Sequence, residues 1–392
     1  MRIAVLHNRY RLPGGEDAVV EREIELLSDF GHVLHLFSVD NTSISREGVG
    51  LAARTIWSRP AAEAVDRFLE QTQCDLVHVH NTFPLLSPSV YSVAARRGLP
   101  VVQTLHNFRL LCPSATFFRD GRICTECLGR PVPWPAVRYA CYRNDRRATT
   151  AVATMLAVHR LRGTWSREVD AFIALTEFAR ARFVTGGLPA ERIHVRPNYV
   201  PDPIAIRAES RSDQGHAVYV GRLSEEKGIR VLIEAWKAVP IPLVVLGDGP
   251  LGDEIRAAAP SHVDFRGHVS HMKVLETMAR AAFAVVPSTC FEGLPMAVLD
   301  AFALGVPVLA SDLGSLAEIV EEGVDGRLFR HGDARNLGEV ARELAADPED
   351  RARLGDEARA TYERLYTKQM ALSSLERIYE EAIRSRRRRS EE

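Results

Sequence analysis

Lysine is nearly missing from this chain. Of its 50 basic residues only Lys227, Lys237, Lys273 and Lys368 are Lys, and the other 46 are Arg. A surplus of either charge is missing too: 50 Lys+Arg stand against 51 Asp+Glu, a formal net charge of -1. That balance excludes the uniform basic field of a dedicated nucleic-acid coat, and no nucleic-acid partner is expected. No apolar run approaches the roughly 20 residues that a membrane-crossing helix needs. The opening Met1-Arg2-Ile3-Ala4-Val5-Leu6-His7 is too short for the apolar core of a secretion signal, so a cytoplasmic location is expected. Six cysteines in 392 residues are too few for a secreted disulfide scaffold. There is no G-x-x-x-x-G-K-[ST], hence no P-loop, and no G-x-S-x-G nucleophile elbow. No Asp-x-Asp occurs, so the simplest divalent-metal clamp for a diphosphate is absent.

What is present is an ordinary globular composition, 46% hydrophobic and 26% charged. At roughly 100–200 residues per domain the length suggests two domains. Short β-branched runs alternate with helical patterns: strands at residues 2–6, 32–37, 75–80 and 100–105, helices at 16–30, 61–71 and 87–97. Such alternation predicts parallel strands with crossover helices. Residues 109–147 break the rhythm with four cysteines and four prolines, and read as an insertion. A helix over 145–162 and a strand over 171–175 follow, with Thr176 as a cap for the helix 177–185. The polar stretch 205–215 is the best linker candidate. Strands are then predicted at 216–220, 242–246, 262–266, 282–286 and 306–310. Two such halves imply a cleft between domains, with chemistry on loops at the carboxyl ends of strands.

Four constellations carry chemistry. In Gly221-Arg222-Leu223-Ser224-Glu225-Glu226-Lys227-Gly228, a planar guanidinium and a point charge suit phosphate oxygens near a helix start; the alternative is a solvated turn with ion pairs. In Cys290-Phe291-Glu292-Gly293-Leu294-Pro295, Glu292 lies on a loop and Asp300 inside the following helix. A carboxylate buried mid-helix is expensive unless it binds something polar, such as ribose or hexose hydroxyls. Gly14-Gly15-Glu16 is either an anion or sugar-phosphate cradle or a plain βα turn. His106-Asn107 ends a strand where a polar substrate contact belongs. His78 and His80 share a strand face and read as packing residues, since no carboxylate or third His is near them in sequence. Gly247-Asp248-Gly249-Pro250-Leu251-Gly252 matches the dinucleotide fingerprint, with Asp264 as its acid. It follows the second strand of its domain, whereas the usual fingerprint follows the first.

Cys112, Cys124, Cys127 and Cys141 have the spacing C-x11-C-x2-C-x13-C, compatible with a structural Zn site, free thiols or disulfides. Arginines 138, 143, 146, 147, 160, 162 and 167 surround the apolar segment 151–158, flanked by Trp134, Tyr139, Tyr142 and Trp165. This is either a surface that meets an anionic leaflet or a helix packed on its domain. The basic tail, residues 384–389, either adds to that attraction or is disordered.

Taken in order, these motifs resemble the retaining GT-B glycosyltransferases of family 4, the glycosyl transferases group 1. The resemblance implies an α/β GT-B architecture of two Rossmann-like domains facing across a cleft: residues 1–200 on the acceptor side, with the insertion at 109–147, and 201–370 on the nucleotide-sugar side. Residues 371–392 would pack back on the first domain. It implies His106 and Glu292 as catalytic candidates at the donor sugar. Gly14, Gly15, Arg222, Lys227, Gly249, Gly293, Leu294 and Asp300 would hold the donor, with Asp300 on the ribose. The family's E-x7-E ends here in Asp, one methylene shorter. The implied reaction moves a sugar from a nucleotide-diphosphate sugar to an acceptor hydroxyl, on a sugar or lipid-linked sugar, with no cofactor required for catalysis. The segment 106–127 also resembles a subgroup of bacterial envelope or exopolysaccharide transferases. The rival readings are an NAD-dependent oxidoreductase built on the Gly247 loop and a non-catalytic sugar-nucleotide-binding module.

Overall fold

The computed structural model describes residues 1–11, 14–44, 48–209 and 215–391. Two units are present, the first formed by Met1–Phe117, Cys124–Arg196 and Ala371–Glu392, the second by Phe118–Ile123 and Pro197–Met370.

The strands of the first sheet are β1 (Arg2–Arg9), β2 (Val33–Asp40), β3 (Leu76–Asn81), β4 (Val101–Leu105), β7 (Ala171–Ala174) and β8 (Ile193–Val195). They run parallel in the order β2-β1-β3-β4-β7-β8. A two-stranded hairpin, β5 (Phe118–Arg119) and β6 (Arg122–Ile123), lies between β4 and β7 in sequence. Every residue of β3 and β4 is buried, as expected of strands covered on both faces. β1 runs three residues past its apolar run because His7 and Asn8 are buried with partners, Asp17 at 2.8 Å and Asn41 at 2.8 Å. The helix Gly15–Asp29 buries Val19, Val20, Leu26 and Leu27, and Glu23 with them. Asp17 accepts a bond from the Gly14 N–H at 3.0 Å and so closes its first turn. Thr176 caps the helix Glu177–Thr185, accepting from the Ala179 N–H.

The second sheet holds β9 (Ala217–Val220), β10 (Leu243–Leu246), β11 (Val263–Gly267), β12 (Phe283–Val286), β13 (Val308–Asp312) and β14 (Gly326–Arg330), all parallel, in the order β11-β10-β9-β12-β13-β14. Trp236, Leu232, Val245, Phe283 and Leu309 anchor its core. β8 and β14 were not anticipated. β8 is three residues long, and β14 opens on Gly326, where a Cβ would come 2.3 Å from the Val308 carbonyl oxygen. Within the expected linker, Ile204–Glu209 is helical, and 210–214 lie outside the described residues, as do 12 and 13 of the first loop.

In both sheets the strand order reverses beside the first strand, between β1 and β3 and between β9 and β12. Loops leaving adjacent strands at such a point open a crevice at their carboxyl ends.

The helix Lys368–Glu391 buries Leu372, Leu375, Ile378, Tyr379 and Ala382. Its basic end is neither disordered nor free. Arg386 bonds the buried Asp170 at 2.8 Å, and Arg389 bonds the same carboxylate.

Candidate functional site

In the second unit the two loops flanking the strand reversal are joined. The Thr289 N–H donates to the Glu226 carbonyl at 2.9 Å and the Thr289 hydroxyl to the Glu225 carbonyl at 3.0 Å. Lys227 and Glu292 are thereby brought together, Nζ donating to both carboxylate oxygens at 2.7 and 2.8 Å. The Ser288 hydroxyl donates to the same carboxylate at 2.6 Å, a contact that sequence reasoning missed. Burial alone would lower the Lys227 pKa, but Glu292 outweighs it and holds the ammonium above its ordinary value. Tyr219 donates to the Arg222 carbonyl at 2.8 Å, and the Arg222 guanidinium has no acid partner among the described residues. The N–H groups of Gly293 and Leu294 make no hydrogen bond among those residues either. They precede the helix Met296–Leu304, whose first turn leaves further donors open. Asp300 is buried in that helix and bonded by His271 Nε2 at 3.0 Å, a second partner invisible in the sequence.

The glycine fingerprint has a different origin from the dinucleotide cradle it imitates. Gly247 has φ +134°, and a Cβ there would meet the Gly221 carbonyl oxygen at 2.0 Å; at Gly249 a Cβ would meet the Leu223 carbonyl oxygen at 2.5 Å. These glycines let two loops pack backbone to backbone, with Leu223 N–H on the Asp248 carbonyl at 3.0 Å. Asp264, the fingerprint's expected acid, sits on the edge strand β11 and pairs with Arg266 at 2.7 Å.

In the first unit His106 leaves β4 and stacks on His80, its Nε2 2.9 Å from His80 Nδ1. The reading of His78 and His80 as simple packing residues needs correction. Glu23, in the middle of the helix Gly15–Asp29, reaches His78 Nδ1 at 3.1 Å and His80 Nε2 at 3.4 Å. This acid is invisible in the sequence, being 55 or more residues from either His. Gly14 is the N-cap of the helix that Gly15 begins, and a Cβ at Gly14 would meet nothing within 4 Å, so packing within the protein does not demand glycine there. Glu16 accepts from Tyr10 at 3.0 Å and Asn107 at 3.2 Å, and burial raises its pKa from 4.5 to about 7.

The four insertion cysteines are free thiols. Burial pushes Cys127 up to about 12, and Cys112, Cys141 and Cys124 add to the shift, so they are neighbours. Yet among the described residues only Glu23, His78 and His80 bring three possible ligand atoms within 4.8 Å. With Zn–S near 2.3 Å, a tetrahedral site needs its sulfurs closer than that. The thiols as placed form no ready zinc site. The helix Arg146–Arg162 turns Val152, Ala153, Met155, Leu156 and Ala157 into the protein, so its apolar side is covered. Val132, Trp134 and Tyr139, beside Arg130 and Arg138, remain exposed. No helix among the described residues is long and apolar enough to cross a membrane.

Comparison with known proteins now bears on this geometry. The family "Glycosyl transferase 4-like domain" matches residues 14–199, and "Glycosyl transferases group 1" matches residues 204–361. The chain belongs to the group 1 glycosyltransferases. Similar members include the uncharacterized glycosyltransferase MJ1178 of Methanocaldococcus jannaschii, 29% identical over 176 residues, 44% of this chain and 50% of that protein. The teichuronic acid biosynthesis glycosyltransferase TuaC of Bacillus subtilis, itself named as tentative in that role, is 28% identical over 270 residues, 67% of this chain and 61% of that one. The chain spans about half the length of the curated relatives it matches. Anabaena Alr3699/HepE, solved with UDP, has a TM-score of 0.67 at 19% identity, covering 96% of this chain and 99% of that one. That likeness is one of fold, and the fold is GT-B.

Proposed function

We propose that this group 1 glycosyltransferase moves a sugar from a nucleotide-diphosphate donor to an acceptor hydroxyl. One observation carries the reading: loops from the adjacent strands β9 and β12 join Lys227 to Glu292, with Arg222 on the first loop and the unbonded N–H groups of Gly293 and Leu294 on the second. This is a set of cationic and amide donors beside an acid, the chemistry of a pyrophosphate next to hydroxyls. The acid is held by Lys227 and Ser288 before any ligand arrives, so the donor would share these partners: phosphate oxygens take up the Lys227 protons while Glu292 accepts from sugar hydroxyls. Asp300, steadied by His271, is assigned to the ribose and His106 to a sugar hydroxyl.

In the transition state the bond from the anomeric carbon to the diphosphate oxygen breaks and positive charge grows on the sugar. Arg222, Lys227 and the two amides stabilise the departing charge, each such donor contributing on the order of 10²–10³ in rate. For retention of configuration we favour a front-face route. The acceptor oxygen bonds the anomeric carbon on the face the diphosphate leaves, and its proton passes to a phosphate oxygen. The anomeric proton coupling in the product tests retention, and an inverted product would refute the front-face route. Activity that persists in a chelator supports charge neutralisation by side chains; loss restored by a divalent cation opposes it.

The relative TuaC, named for teichuronic acid biosynthesis, supports an acceptor that is a sugar or lipid-linked sugar in polysaccharide assembly. Exposed Val132, Trp134 and Tyr139 among arginines support peripheral contact with an anionic bilayer on the cytoplasmic side. A thermal-shift panel of UDP, GDP, ADP and their sugars tests the donor class. A ligand at a hundred times its Kd stabilises the native state by about 2.7 kcal/mol. Lys227→Ala and Glu292→Ala should each abolish most turnover while the fold persists; unchanged turnover in both would leave only a binding module. Stabilisation by NAD and by no sugar nucleotide would revive the oxidoreductase reading.

A further inference from the structure

We propose that Glu23 and His80 form a positioning relay that fixes His106 in the tautomer whose Nδ1 lone pair is free, making His106 a hydrogen-bond acceptor for a hydroxyl of the bound sugar. The sugar and its hydroxyl rest on the glycosyl-transfer reading; the tautomer follows from the first unit alone.

One line of neighbouring groups sets the tautomer. Glu23 is 3% exposed, and Arg196, 2% exposed, donates to its Oε2 at 2.5 Å. Burial works against the ionised acid, but Arg196 and His78 outweigh it and hold Glu23 well below the usual carboxylate range. An ionised carboxylate only accepts. Its Oε1 faces His80 Nε2 at 3.4 Å, too loosely aligned for a strong hydrogen bond but close enough to repel a lone pair on that nitrogen. His80 therefore carries its proton on Nε2. Burial, then the neighbouring His78, lowers the His80 pKa to about 4, so the ring is neutral and its Nδ1 is a lone pair. The 2.9 Å contact to His106 then needs a proton from the other side, and His106 Nε2–H supplies it. Burial and His80 keep His106 neutral as well. Its Nδ1 is left as an acceptor, with no hydrogen-bond partner among the described residues, in a ring that lines a pocket with Asn81, Phe83, Gln103, Arg109 and Trp165.

The remaining groups around the relay agree with this proton placement. His7 lies edge-on to His80 and is engaged with Asp17. His78 is spoken for at both nitrogens, Nδ1 by Tyr379 at 2.8 Å and Nε2 by Thr104 at 2.8 Å. Glu23, His78 and His80 bring ligand atoms close enough for a metal ion. Arg196 already occupies the Glu23 carboxylate, and Tyr379 and Thr104 already engage both ring nitrogens of His78, so a dication there would face Arg196 across one carboxylate. The relay uses the cluster without that conflict.

Ring nitrogen NMR of the full chain labelled with ¹⁵N-histidine reads the tautomer with no substrate present, so its failure is distinct from failure of the transferase reading. The His106 signals are identified by their loss in His106→Gln. The native chain should show His106 protonated at Nε2 and bare at Nδ1. In Glu23→Gln the amide oxygen stays on Arg196 and the NH₂ faces His80 Nε2; both rings should turn over their protons, leaving His106 protonated at Nδ1. A native His106 protonated at Nδ1, or a Glu23→Gln chain that folds with His106 unchanged, overturns the proposal. Should Glu23→Gln not fold, the native spectrum and His80→Gln decide. Loss of the link should give a mixture of His106 tautomers, and one unchanged tautomer counts against the relay.

Discussion

Glu16 follows two glycines that the sequence marks as a cradle, but its chemistry comes from elsewhere. Tyr10 at the end of β1 and Asn107 after β4 both donate to it, while its other oxygen is buried without a partner. Burial raises its pKa to about 7 from 4.5. The folded chain therefore holds a proton that the unfolded chain has released between those values, and this contribution to stability is full below pH 4.5 and lost as pH rises through about 7. Glu16→Gln should remove that dependence. Relative to the native chain it should gain stability between pH 4.5 and 7.5 by at most about 3 kcal/mol, read from urea midpoints across pH. Equal pH slopes in the two chains would contradict the burial of this acid. Residues such as Arg222, Lys227, Glu292 and Asp300 were legible because type and spacing alone suggest their chemistry. Ser288, His271 and Glu23 were not. Their roles depend on partners brought in by folding, and Glu23 meets Arg196 across 173 positions.

At the scale of elements, most strands and helices were legible from apolar periodicity, with ends off by one to three residues. What escaped was set by neighbours. β14 opens on a glycine that only its packing on β13 explains, and the Gly247 loop imitates a nucleotide motif because two loop backbones touch. Gly228, at φ +70°, makes the same point within the site: a Cβ there would lie 1.7 Å from the Pro287 carbonyl oxygen. Gly228→Ala should cost about 3 kcal/mol or more. It should also push the Lys227 loop from the Glu292 loop, weakening sugar-nucleotide binding beyond the loss of stability. Calorimetric titration on the folded fraction measures this, and native affinity would mean that the contact between loops does not shape the site. On the insertion, Trp134→Ala should reduce sedimentation with anionic vesicles while leaving neutral vesicles unaffected; equal sedimentation by both chains would remove this surface from consideration.

At the scale of the whole molecule, each unit carries a parallel sheet with its own reversal point, and the sequence showed this as a restart of the βα rhythm. The return of residues 371–392 to the first unit came from the family resemblance and not from that rhythm. The helix Lys368–Glu391 buries Leu375, Ile378 and Tyr379 in the first unit, and Asp170, fully buried there, is bonded by Arg386 and Arg389. Asp170→Ala should cost about 3 kcal/mol by stranding these arginines, read as a lower Tm for the first unit. A chain ending at residue 370 should lose cooperative unfolding of that unit, while residues 197–370 keep a Tm shift with the nucleotide. A truncated chain that melts like the native one would show the helix to be dispensable. The same arrangement sets an order of events during synthesis. The amino-terminal sheet leaves the ribosome first, yet Tyr379, the partner of His78, is translated 301 codons after it, so the half made earliest is finished last and must wait with an apolar face bare, the period in which a chaperone has most to shield.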